Sequence, residues 1–175
     1  MPRGIIVFGA NGSGKTTLGR ELARILGVKH MDIEDYHFRK STIPYTAVRS
    51  NDACRSLMLA DIEQYGSFVL SAVTGNFGER IVSMYGLAVY ITAPVEIRIV
   101  RIEQREYVRH GERIHESGDM FEQHRSFVDF AASRSLEAID RWAEELSCPI
   151  LRVDGTKGIA ENAEWVAAQW LCLRR

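Results

Sequence analysis

Proline and cysteine are both scarce. Four prolines in 175 residues leave no Pro/Gly/Ser-rich linker at which to divide the chain, and at roughly 100–200 residues per domain the length predicts one domain over residues 1–175. The three cysteines, Cys54, Cys148 and Cys172, are scattered and form no C-x-x-C pair. A disulfide framework is therefore not expected, and a reducing, cytoplasmic setting is. No run approaches the roughly 18 apolar residues of a membrane span, and the short apolar stretch after Gly4 is too brief for a signal core. The five histidines lack metal-ligand spacing, so no protein-built zinc site is indicated. A net charge of −1 argues against a dedicated nucleic-acid binder. With 46% apolar residues the chain is not disordered, and at this size it can bury about 70% of its unfolded surface without staples. Lysine is also rare: 4 against 18 arginines, seven of them between Arg98 and Arg134. Arginine's planar fork suits phosphate, although the base composition of the source genome accounts equally well for the global skew.

What is present is an alternation of apolar runs and helical patterns, the mark of an α/β sheet with crossover helices. Strands are expected at residues 3–8, 29–33, 67–73, 87–92 and 149–153. Helices are expected at about 15–26, 51–65 with Ser50 as N-cap, 77–85, 94–109, 120–146 in one or two pieces, and 158–171. Residues 110–119 are polar, hold two glycines and show no apolar periodicity, so they read as a mobile loop.

The most specific segment is Gly9-Ala10-Asn11-Gly12-Ser13-Gly14-Lys15-Thr16, which fits G-x-x-x-x-G-K-[ST] between an apolar strand and an amphipathic helix. Gly9, Gly12 and Gly14 let successive N–H groups turn inward around a polyphosphate. The helix beginning at Lys15 adds its positive dipole end. Lys15 supplies a point charge between the β- and γ-phosphates, Thr16 a hydroxyl ligand for Mg²⁺, and Asn11, Ser13 and Thr17 complete the donor-binding set.

On this motif the chain resembles the P-loop kinases of small molecules: nucleoside monophosphate, shikimate and gluconate kinases. The resemblance implies a three-layer P-loop fold, with a five-stranded parallel sheet of order 2-3-1-4-5, helices on both faces and a small helical lid. It also implies an acceptor-binding region at about 33–65 and a lid at about 105–125. There is no LSGGQ, no NKxD, and strand 3 does not end in an aspartate.

Asp32-Ile33-Glu34-Asp35-Tyr36-His37 follows strand 2, and ligands of open parallel sheets bind beyond the carboxyl ends of strands. Asp32 and Asp35 would there order Mg²⁺ or accept the proton of an attacking hydroxyl. The pattern is similar to the D-x-D of shikimate kinases and to the D-G-D-D-[aromatic]-H of gluconate kinases, with Ile43-Pro44-Tyr45-Thr46 loosely like the latter's P-L-T. The alternative is a solvated acidic turn with Asp32 capping a helix, and the roles of Glu34 and His37 stay open. A phosphate acceptor needs no base and would be repelled by carboxylates, which favours a hydroxyl-bearing acceptor.

After strand 3, Gly75 allows close approach of a ligand, Asn76 offers neutral hydrogen bonds and Arg80 is a candidate anion clamp, with Arg49 a second; an ordinary turn explains the segment equally well. Arg101 and Arg105 lie at i and i+4, with Arg109 one turn on and Arg113 in the polar loop. In the resembled kinases, lid arginines neutralise charge on the transferring group. Arg105, Arg109 and Arg113 match that role, with Arg125 and Arg134 weaker matches, while nearby Glu103, Glu106 and Glu112 offer the alternative of a salt-bridged surface helix. Asp154-Gly155-Thr156 reads as the loop on which the resembled kinases lay adenine, or as a plain turn.

The sequence thus predicts an ATP- and Mg²⁺-dependent phosphotransferase acting on a small hydroxyl-bearing metabolite or nucleoside, with neither nucleic acid nor membrane as partner. The catalytic candidates are Lys15, Asp32, Asp35, Arg105, Arg109 and Arg113. The alternatives are a nucleoside monophosphate kinase and a non-catalytic ATP-binding switch; monomer and homodimer remain open.

Overall fold

The computed structural model describes residues 4–174. Its parallel sheet runs β2-β3-β1-β4-β5, from β1 (Gly4–Phe8), β2 (Lys29–Asp32), β3 (Phe68–Ala72), β4 (Tyr85–Thr92) and β5 (Ile150–Asp154). The helices are α1 (Lys15–Leu26), α2 (Ile33–His37), α3 (Asn51–Tyr65), α4 (Glu79–Val82), α5 (Val95–His110), α6 (Phe121–Ser133), α7 (Glu137–Glu144) and α8 (Ile159–Leu173).

Period-two alternation decides the layers. Ile5 and Val7 of β1 face Leu18 and Leu22 of α1 and Val166 and Trp170 of α8. Ile6 and Phe8 face the other way, towards Met58 and Ile62 of α3 and Ile139 and Trp142 of α7. There Phe8 stacks on Tyr90 with ring centroids 4.7 Å apart and meets Trp142 edge-on at 4.9 Å. Both faces of β1 are covered, which is why the strand reads as unbroken apolar sequence. In register, Ile5 lies opposite Val69 of β3 and Leu87 of β4, so β1 is central and its carboxyl end opens between two neighbours.

The expected order 2-3-1-4-5 is found, and α3 with its Ser50 cap falls where the sequence put it: Ser50 Oγ accepts from the Ala53 N–H at 3.2 Å. Two local expectations are corrected. The helix expected at 77–85 shrinks to α4, because Tyr85 is the buried first residue of β4 and donates its hydroxyl to Gly75 O at 2.8 Å. The polar stretch 110–119 is ordered, with a 3-10 turn over Gly111–Ile114. Ile114 anchors it in the interior, and the Arg113–Asp119 pair at 2.8 Å closes its far side. One anchoring residue leaves no periodic trace in a sequence.

Candidate active site

β1 ends in the phosphate loop. Gly14 adopts a left-handed conformation at the N-cap of α1, with no side chain capping and no acidic residue in the first turn. The helix-terminal N–H groups therefore stay free to meet an anion. Gly12 has φ +79, and a Cβ there would lie 2.4 Å from Arg98 O, so the loop rests directly on the α5 backbone. Three arginines fix its shape. Buried Arg98, 4% exposed, donates to Asn11 O at 3.1 Å and Ala131 O at 3.3 Å. Arg101 donates to Ser13 O at 3.4 Å and Gly155 O at 2.9 Å. Arg134 reaches Asn11 Oδ1 at 3.3 Å. Among the described residues Arg98, Arg101 and Arg134 form no ion pair, so three uncompensated cations surround the loop and favour an anion within it.

Gly12, Gly14, Lys15, Thr16 and Thr17 line a groove of about 420 Å³ together with Arg20, Glu34, Arg101, Arg105, Arg109 and Ile159. Lys15 Nζ donates to Ala10 O at 2.8 Å, and desolvation lowers its pKa from 10.5 to about 8, against the opposing pull of Glu34 and Asp32. Ser13 is fully buried and its hydroxyl has no partner. Asp154 Oδ1 accepts from Thr156 N at 2.8 Å and Thr156 Oγ1 at 2.7 Å. This closes a turn whose buried Gly155 packs so near that a Cβ would sit 2.6 Å from Ser13 O. The 154–156 segment is thus braced against the loop through Gly155 and Arg101.

Asp32, 8% exposed, ends β2 beside the loop. Its Oδ2 accepts from Thr16 Oγ1 at 2.8 Å and its Oδ1 from Glu34 N at 3.1 Å, so the same carboxylate caps α2 and faces the groove. A hydroxyl beside a carboxylate is a hard-oxygen set suited to Mg²⁺, which keeps most of its shell as water and substrate oxygens. The described residues contain no cluster of three or more metal-ligating side chains.

A second space opens beside the groove, a cavity of about 270 Å³ between α2, β3, α5 and α6. Glu34 lines both spaces. Burial, then Asp32, raises its pKa. Glu106, 4% exposed, lines the cavity as well. It holds Arg105 Nε at 2.8 Å, His110 Nε2 at 3.4 Å and Arg109 Nη1 at 3.6 Å. The cavity is roofed by residues 38–48, a loop pinned by the antiparallel bridge Phe38–Val48. Arg109 donates to Tyr45 Oη at 2.8 Å, Arg113 to Thr42 O at 3.2 Å and Gln123 Nε2 to Pro44 O at 2.8 Å, so both helices of the α5–α6 connection clasp this roof.

Other expected residues lie elsewhere. Asp35 is exposed and lines neither the phosphate groove nor the cavity, but an open groove beside them that it shares with Asp32, Glu34, Arg49 and Arg109. A helix of this pitch turns neighbours by about 100°, so Glu34 reaches the phosphate groove and the cavity while Asp35 does not. Arg49 Nη1 donates to the carbonyls of Asp35, Tyr36 and Phe38, at 3.0, 3.0 and 2.5 Å, which closes the end of α2. Gly75 is buried, with a Cβ position 3.0 Å from Trp142, and serves packing. Asn76 is exposed. Arg80 faces a depression with Gly66 and Ser67, at the opposite end of β3 from the loop. Arg113 is occupied by Asp119 rather than by the groove. The residues sequence reasoning passed over are Arg98, Glu106 and Gln123. Arg98, Arg101 and Arg105 follow i, i+3, i+7 spacing, a helix face readable in the sequence.

The comparisons agree with the fold. A family model described as AAA domain matches residues 5–125. The Bacillus subtilis (strain 168) uncharacterized protein YqaC is 28% identical over 174 residues, 95% of this chain and 96% of its own. A shikimate kinase of Acinetobacter baumannii (strain AYE) is 29% identical over 107 residues, 55% of this chain and 59% of that protein's length. Among solved structures, shikimate kinase from Acinetobacter baumannii in complex with shikimate superposes with a TM-score of 0.56 at 21% identity, covering 97% of this chain and 93% of that one. A gluconokinase from Sinorhizobium meliloti 1021 gives 0.57 at 16% identity, covering 98% and 93%. The chain belongs to the AAA domain family AAA_18 and has the fold of the P-loop small-molecule kinases.

Proposed function

We propose that the protein moves the γ-phosphoryl group of ATP onto the hydroxyl of a small molecule. The observation that carries this reading is the position of Glu34, a carboxylate shared by the phosphate groove and the neighbouring cavity. Phosphoryl transfer to a hydroxyl needs a proton acceptor at the boundary between donor and acceptor spaces; transfer to a phosphate, or a nucleotide switch, needs none there.

The loop amides and Lys15 bind the polyphosphate. Thr16 and Asp32 would hold Mg²⁺, which when bound neutralises charge on the phosphate oxygens. Arg105 and Arg109, both facing the groove, meet the charge that spreads over the transferring group. Glu34, made more basic by burial, orients the acceptor hydroxyl and takes its proton. The hydroxyl oxygen bonds to the γ-phosphorus as the bond to the β,γ-bridging oxygen breaks, and ADP leaves. Residues 33–65 are then the acceptor side and residues 105–125 the lid, joined over the acceptor by the contacts to Thr42, Pro44 and Tyr45. A phosphate acceptor would meet both Glu34 and Glu106, which weighs against a nucleoside monophosphate. The three free cysteines fit a reducing, cytoplasmic setting.

A coupled ADP-release assay over nucleosides, nucleoside monophosphates, sugar acids and small alcohols tests the reading. Acceptor-dependent ADP release is expected, lost in Lys15→Ala while the unfolding midpoint holds. Full turnover by Lys15→Ala contradicts it.

A further inference from the structure

The cavity beside Glu34 has its own chemistry. Its walls are largely apolar, with Ile33, Phe38, Val73, Met120 and Phe127 joined by the Tyr45 ring. At about 270 Å³ it falls just below the roughly 300–1,000 Å³ that drug-sized ligands occupy, so it suits one ring or a compact pair. An open-chain, fully hydroxylated acceptor would leave most of its hydroxyls against hydrocarbon.

Two of its polar groups are side-chain acceptors that no hydrogen bond occupies, since Glu106 accepts from Arg105 and Asn11 Oδ1 from Arg134. Gln123 donates Nε2 to Pro44 O at 2.8 Å, which fixes the amide orientation. Its Oε1 is then buried with no partner, and a carbonyl oxygen can only accept. Glu34 supplies the other, a carboxylate at the boundary with the phosphate groove. A ligand that satisfies both presents two donors: the hydroxyl to be phosphorylated at Glu34 and a second O–H or N–H at Gln123.

No permanent cation remains for an acidic ligand. Arg105 is bound to buried Glu106, and Arg109 lies among Glu106, Tyr45 and Glu34, the last at 4.0 Å. Arg49 is held by three carbonyls and does not line the cavity. Asn11 and His124 complete the polar wall, and neither is a fixed positive charge. If Arg105 and Arg109 turn to the phosphates, Glu106 loses partners and the cavity becomes more negative. A ligand carboxylate there meets two carboxylates in a partly desolvated space.

We infer that the acceptor is a compact ring compound, uncharged or cationic, bearing the reacting hydroxyl and a second hydrogen-bond donor, and that organic acids are rejected. This rests on the phosphotransfer reading: the ring hydroxyl loses its proton to Glu34, its oxygen bonds to the γ-phosphorus of ATP, and ADP departs with the electrons of the broken bond.

The test is ADP release by the full chain over matched pairs, each an uncharged or amino-substituted ring alcohol and its carboxylate counterpart, including methyl shikimate with shikimate and nucleosides with their 5′-carboxylates. The uncharged or cationic members are expected to exceed their acidic counterparts in kcat/KM by at least about 100-fold. If the acids match or surpass them, the acceptor inference fails while phosphotransfer stands. If no compound promotes ADP release, phosphotransfer fails and takes this inference with it. Gln123→Leu gives an independent reading. With the best acceptor, KM should rise about 10-fold, and with the analogue lacking the second donor it should not change. Equal changes with both compounds mean that Gln123 only braces the roof, and overturn the two-donor assignment.

Discussion

Lys15 links nucleotide binding to pH in a direction that the structure sets. In the free protein its ammonium lies among buried groups, its Nζ bonded to Ala10 O, and desolvation holds its pKa at about 8 against an ordinary 10.5. A polyphosphate at Nζ favours the charged form and returns the pKa towards or above 10.5. The bound state then holds more protons than the free state between about pH 8 and 10.5. The sign follows: the Lys15 contribution to affinity is fully present below pH 8 and is lost as pH rises through that window. A difference of about 2.5 units corresponds to about 3 kcal/mol, or about 300-fold in affinity at the upper limit. Calorimetry of Mg-ADP binding in two buffers of different ionisation enthalpy measures the proton directly. About 0.1 proton is expected to be taken up at pH 7 and about 0.9 at pH 9. Lys15→Arg, which stays charged throughout, should bind with no uptake at either pH. Buffer-independent heats for the unmodified protein at pH 9 would refute the reasoning.

Glu34→Gln should lower kcat by about 10²–10⁴-fold with little change in KM for ATP, whereas Asp35→Asn, exposed and outside the phosphate groove and cavity, should have the smaller effect on kcat; steady-state kinetics checks the pair, and the reverse ranking contradicts the assignment. Gly12→Ala forces a side chain onto φ +79 and against Arg98 O, at a cost of about 1–3 kcal/mol. Calorimetry should show Mg-ATP affinity reduced at least about 10-fold. Arg98→Met removes the buried guanidinium from Asn11 O and Ala131 O. It should reduce unfolding stability by about 2–3 kcal/mol and weaken Mg-ATP binding, measured by denaturant melts and calorimetry.

The phosphate loop and the sheet order were legible because both are local or pattern-borne. Glycines at fixed offsets and a Lys-Thr pair announce a loop chemistry, and unbroken apolar runs announce strands covered on both faces. Residues 33–37 were legible as chemistry but not as geometry. Asp32 both caps α2 and faces Thr16, so the two readings of the acidic cluster describe one residue. Whether Glu34 or Asp35 turns inward depends on where α2 starts, and one residue of shift exchanges them. The arginines divide for a similar reason. Arg98 and Arg101 bond backbone carbonyls far along the chain, Arg105 and Arg109 face the groove, and Arg113 pairs with Asp119. Spacing places them on related turns, while packing decides which heads stay free. The Gln123 contact to Pro44 joins residues far apart in sequence, and nothing in either local segment announces it.

Following the γ-phosphate itself shows whether the phosphoryl group reaches an acceptor. With γ-labelled ATP, Mg²⁺ and a panel of ring alcohols, the account predicts label transferred onto an organic acceptor, and none in Lys15→Ala. Tight Mg-ATP binding with the label retained on ATP, or released only as inorganic phosphate, would contradict it.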